Sequence, residues 1–142
     1  MALNTTNAQQ PIMTSSPRII SVYDTDTGCP NASRTNPLLT TTITITRPSY
    51  FWVVSNIRRN ASGRADCQIV VAGPAGSNYP TAAVLTRRLN WTANTQPVTV
   101  AGDAGFFANT AGSWTVYIQA DSPTLWGCGR QWGKMFVMVC EV

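Results

Sequence analysis

Histidine is missing from this chain altogether. Its absence removes His-based triads and imidazole general bases. It also leaves cysteine as the only soft ligand for a zinc site. Charge is scarce too: Asp, Glu, Lys and Arg make up 11% of the 142 residues, against about 25% in an ordinary globular protein. Lysine occurs once, at Lys134. No run of 18 apolar residues is present, so no membrane-spanning helix and no membrane partner are expected. The N-terminal residues lack the basic start and apolar core of a signal peptide, and synthesis is expected to end in a cytoplasm. No stretch keeps a helical period, and no internal repeat is visible.

Thr, Ser, Asn and Gln fill the polar positions that charge leaves empty, which suits β structure and surfaces that partners cover. Residues 1–17, "MALNTTNAQQPIMTSSP", carry no charge and few apolar side chains. They read as an extended N-terminal arm in front of a single domain over 18–142. Strand signals then follow at Ile19–Tyr23, Leu39–Arg47, 49–57, Asp66–Ala72, Ala82–Trp91, Pro97–Ala101, Phe106–Phe107, Ser113–Ala120 and Lys134–Val142. Short strands between Gly, Pro and Asn turns predict an all-β fold, an antiparallel β-sandwich of jelly-roll-like type.

Two of these strands are apolar on both faces. In 49–57, Phe51, Val53 and Ile57 share one face and Tyr50, Trp52 and Val54 the other. In the last strand, Met135, Val137 and Val139 oppose Phe136, Met138 and Cys140. A sandwich strand has one face on the core and one in water. Tyr50, Trp52, Val54, Phe136 and Met138 are therefore candidates for an oligomer or shell interface, the alternative being cover by the chain's own loops.

Few side chains offer reaction chemistry. Asp26-Thr27-Gly28 matches the Asp-Thr-Gly of aspartic proteases, where paired carboxylates share a proton and activate water. Here the triplet follows Asp24-Thr25 rather than an apolar strand, and Asp and Gly are turn residues. Read from Asp24 as a calcium loop, the same stretch puts Gly28 and Thr35 where oxygen ligands and a bidentate Glu are needed. A Ser–Lys pair has only Lys134 to draw on. No enzymatic activity, cofactor or metal is expected. Cys29, Cys67, Cys128 and Cys140 contain no CxxC and read as buried thiols, with one or two disulfides as the alternative. Sequons at Asn4, Asn31, Asn60 and Asn90 reflect a Thr- and Ser-rich composition.

Net charge is +4, nearly all from arginine. Arg58, Arg59 and Arg64 lie in "NIRRNASGR", which reads as a hairpin loop. They are solvated turn charges or contacts for an anionic partner surface. Nucleic acid is not expected, because no aromatics interleave with the charge there. A second candidate contact is the long loop "DSPTLWGCGRQWGK", with Trp126, Arg130 and Trp132 set among glycines for packing, protein contact or glycan stacking.

The arm, the strand "NTAGSWTVYIQA" and the terminal "KMFVMVCEV" together resemble small bacteriophage virion proteins, both capsid decoration (cement) proteins and fibre heads. The fibre heads are similar in turn to the TNF/C1q-like jelly roll, whose last strand lies inside a sheet. The likeness covers residues 38–142 and is one of strand pattern. It implies a homo-oligomer, a trimer, seated in a virion beside a major capsid protein or another virion subunit. It gives the arm a role: Pro11, Ile12 and Met13 as its contacts with a neighbour. A receptor- or glycan-binding fibre tip is the alternative it carries, and the lack of a shaft repeat favours decoration.

Overall fold

Period-two alternation of apolar and polar side chains dictates strands, because successive side chains of an extended chain point to opposite faces. The computed structural model describes residues 16–23, 37–59, 63–92, 98–120 and 133–142, with the backbone alone at 58–59, 63–66, 88–92, 98–100 and 120. These residues form β1 (Arg18–Tyr23), β2 (Leu39–Ile45), β3 (Ser49–Arg59) and β4 (Gly63–Ala72), then β5 (Ala83–Thr92), β6 (Val98–Ala108), β7 (Gly112–Ala120) and β8 (Gly133–Glu141). No helix occurs among the described residues.

The strands form two four-stranded antiparallel sheets, ordered β1-β8-β3-β6 and β2-β7-β4-β5. β1 pairs with β8, β2 with β7, β3 with β6 and β4 with β5. The chain is thus one long hairpin with β4 and β5 at its tip, rolled up so that β3 meets β8 and β4 meets β7. That is the jelly-roll order, and the last strand lies inside its sheet.

The core fills the space between the sheets. Phe51, Val53, Val137 and Phe106 face Ile43, Ile69, Val116 and Ile118 across it. Trp114 is the largest fully buried side chain. Its indole packs at an angle on Phe51, Phe106 and Tyr79, with ring centroids 5.8–6.4 Å away. Its Nε1–H donates to the Thr110 carbonyl at 3.0 Å, so burial leaves no polar group unpaired. Gly73 lies against the same ring: a Cβ there would stand 2.6 Å from Trp114 Cζ3.

An ion-pair clasp ties edge strand β1 and the connection between β2 and β3 to β8. Glu141 receives Arg18 Nη2 at 3.6 Å and Arg47 Nε at 3.2 Å. Arg18 Nη2 also donates to the Thr44 carbonyl at 3.2 Å, reaching from one sheet to the other.

Two expectations are corrected. The segments 97–101 and 106–107 are not separate strands: β6 runs unbroken through "GDAG", with Ser55 paired to Gly102 and Trp52 to Gly105. Glycine composition signalled a turn, but the long partner strand β3 keeps the ladder going. The segment 58–64 is not a hairpin. Arg58 and Arg59 end β3, opposite Thr99 and Val98, while Arg64 lies in β4 opposite Trp91. β3 and β4 belong to different sheets, so the chain crosses over between them. Turn residues tell where a chain reverses, and pairing is chosen by which faces can be buried.

Candidate functional site

The register places the outward side chains of the first sheet in rows. One row runs Ile19, Met138, Trp52 and Gly105 across β1, β8, β3 and β6. Below it run Ser21, Phe136, Val54 and Asp103, and above it Cys140, Tyr50 and Phe107. Ile19, Tyr50, Trp52, Val54, Phe107, Phe136 and Met138 are each between 36% and 70% exposed. The only other large apolar side chain so exposed among the described residues is Val84, on β5. Exposed apolar surface is therefore gathered on one face rather than scattered, and scattering is the normal condition of a monomer.

Aromatic contacts hold this face in shape. Tyr50 and Phe107 lie with ring centroids 4.8 Å apart, and Tyr23 meets Phe136 edge-on at 6.0 Å. At the upper end, Tyr50, Trp52, Phe107, Met138 and Cys140 line an open groove of about 390 Å³. Gly105 forms part of its floor. The lower end is polar: Asp103 pairs with Val54, and Lys134 with Asn56. An apolar centre with a polar rim is the usual anatomy of a protein interface.

The outer face of the second sheet differs in kind. Thr40, Thr42 and Thr44 of β2 stand opposite Tyr117, Thr115 and Ser113 of β7. The Thr42 and Thr115 hydroxyls lie 3.2 Å apart, and so do those of Thr44 and Ser113. Hydroxyls paired on a neutral surface are content in water, so this face has no comparable drive to associate.

All five residues expected at an interface, Tyr50, Trp52, Val54, Phe136 and Met138, are brought together on the first face. Ile19 and Phe107 join them without having been singled out. Phe106-Phe107 reads as a bare pair in the sequence, and only the pairing of β6 with β3 assigns Phe107 outward. Cys140 shares the face but is buried, as is Cys67, and neither forms a disulfide. Arg58, Arg59 and Arg64 have described backbone only. Pro11, Ile12, Met13, the Asp24–Gly28 stretch, Cys29, Cys128, Trp126, Arg130 and Trp132 lie outside the described residues.

Among the described residues, no group of three His, Cys, Asp or Glu is placed to hold a metal ion. No protein-family model matches the chain, and no curated protein matches it either. What the face offers chemically is burial: rigid aromatic and aliphatic surface with a polar rim.

Proposed function

We propose that this protein is a structural subunit of a phage-like virion, a decoration or cementing protein that associates with its own copies and with a neighbouring shell subunit. The observation that carries the reading is the gathering of exposed Trp52, Tyr50, Val54, Phe136, Met138, Phe107 and Ile19 on one sheet face. Trp and Tyr are the side chains most enriched at association hot spots. Low overall charge lowers the desolvation cost of covering such a face. The jelly-roll strand order, one that capsid domains share with lectins and cupins, is consistent with the reading. In this reading Arg58, Arg59 and Arg64 meet acidic shell surface and the N-terminal arm adds a tether.

A fibre tip that binds a receptor glycan is the second reading, because the aromatic side chains of Trp52 and Tyr50 line the groove. Among the described residues, the groove is lined by no side-chain carboxylate, amide or guanidinium for sugar hydroxyls. That chemistry favours a protein partner.

Two measurements test the proposal. Sedimentation equilibrium of the pure chain should show a reversible oligomer. Antibodies against the chain should label intact particles released by the cells that carry its gene. A strict monomer that never appears on particles would sink the proposal.

A further inference from the structure

The outward side chains of the first sheet form four rows. They run from Cys140, Tyr50 and Phe107 at the groove end to Tyr23, Lys134, Asn56 and Ala101 at the polar end. Strands about 4.8 Å apart and same-face residues about 6.8 Å apart give four strands by four rows a plan of about 500 Å². Two such faces laid together cover about 1,000 Å² in all, the lower bound of a specific interface. The second sheet offers this face no match, because its outer surface presents the hydroxyl pairs Thr42–Thr115 and Thr44–Ser113. Among the described surfaces, the chemical complement of the apolar face is the face itself, and a surface that pairs with itself does so about a two-fold axis.

Packed sheets keep their strands within about 30° of each other. Two two-fold arrangements then cover the whole face. An axis across the strands reverses the rows. It sets Lys134 over the buried Cys140 and Asp103 over Gly105, so both charges land on apolar surface. An axis along the strands keeps the rows and reverses the strand order, β1 over β6 and β8 over β3. Ile19, the most exposed apolar side chain of the face at 70%, then comes down on the groove at Gly105, where no side chain fills the floor. In the same row the flexible thioether of Met138 meets the indole of Trp52. One row down, Phe136 meets Val54 and the Ser21 hydroxyl meets Asp103; at the polar end Lys134 meets the Asn56 amide. No charge falls on a like charge or on apolar surface.

We infer that this face pairs with the same face of a second copy about a two-fold axis running along the strands, each copy's Ile19 seated on the other's Gly105 and its Met138 on the other's Trp52. The inference rests on the assembly reading for self-association and names the contact that performs it. A closed pair uses up the apolar face, so any shell contact is made by other surfaces.

The test is a charge cycle read by sedimentation equilibrium of the full chain in about 0.1 M salt. Ser21→Asp brings a carboxylate up to the other copy's Asp103 at two symmetric places and should weaken pairing at least about tenfold. Adding Asp103→Lys to the same chain should restore pairing to within about threefold of the parent. Within one subunit the two positions are three strands, about 14 Å, apart, beyond the Debye length of about 10 Å, so the rescue reports contact between copies. Independently, p-benzoylphenylalanine in place of Ile19, irradiated in an equal mixture of isotopically light and heavy chains, should join light to heavy chains at β6 around Gly105. An oligomer that ignores Ser21→Asp, is not rescued by Asp103→Lys, or cross-links elsewhere than β6 overturns this pairing and leaves self-association standing. A strict monomer overturns both.

Discussion

The indole of Trp52 lies over the bare backbone of its cross-strand partner Gly105. A Cβ at Gly105 would stand 3.0 Å from Trp52 Cε3 and 3.1 Å from Cζ3. The missing side chain on edge strand β6 lets the ring rest low over the sheet, with Tyr50 tilted against Phe107 one row above. Gly105→Val should lift the indole and deform the groove. Because Trp52 is exposed and free to tilt, the stability change is expected within about 1 kcal/mol. A shift in tryptophan fluorescence without loss of cooperative unfolding would confirm it. An unfolded variant would mean Gly105 serves the fold itself.

Val54 tests the face apart from the groove. It sits in the row below Trp52, beside Asp103. Val54→Lys places an ammonium in the apolar centre while giving it a nearby carboxylate, so folding should be spared. Self-association should weaken by at least about tenfold, the range of a truncated hot spot. Sedimentation equilibrium measures this, and an unchanged association constant would remove the face from the interface.

Salt dependence separates the apolar face from the arginines. Apolar burial is insensitive to screening, whereas contacts of exposed charges fade beyond a Debye length of about 10 Å at 0.1 M salt. Self-association should therefore survive from about 0.05 to 0.5 M salt, and binding to an acidic shell should weaken over the same range. Self-association that dissolves on adding salt would put charge, not Trp52 and its neighbours, at the contact.

Trp114 anchors the fold. Trp114→Ala should cost about 3–5 kcal/mol, as for other large-to-small changes of a buried aromatic. Gly73→Ala should also destabilise, since the new methyl meets the buried ring 2.6 Å away where nothing can yield. Thermal melts of both variants check this. A Gly73→Ala protein as stable as the parent would mean that β4 shifts freely.

Glu141→Gln removes the charge that Arg18 and Arg47 share. Both arginines are about half exposed (50% and 47%), so the loss should be small, about 0–1 kcal/mol. Its signature is local: hydrogen exchange should quicken in β1, the edge strand held by the clasp, and remain slow in β3. Uniform quickening would show that the pair supports the whole sandwich.

Much of this protein is determined by the sequence alone. Alternating Leu39, Ile43 and Ile45 with threonines between them leave β2 no choice of inward face. The double apolar pattern of 49–57 and 134–142 already gives both strands a second apolar face, because a side chain's face follows from its parity in the strand. Tertiary structure decided what parity cannot express. It joined the glycine-rich "GDAG" into β6, set β3 and β4 in separate sheets, and laid β8 between β1 and β3. Those outcomes depend on partners far apart in the chain, chosen by mutual burial rather than by local propensity. Trp52 and Met138 are 86 positions apart in sequence and adjacent in the sheet, and an apolar face built from such pairs exists only once the hairpin has rolled up.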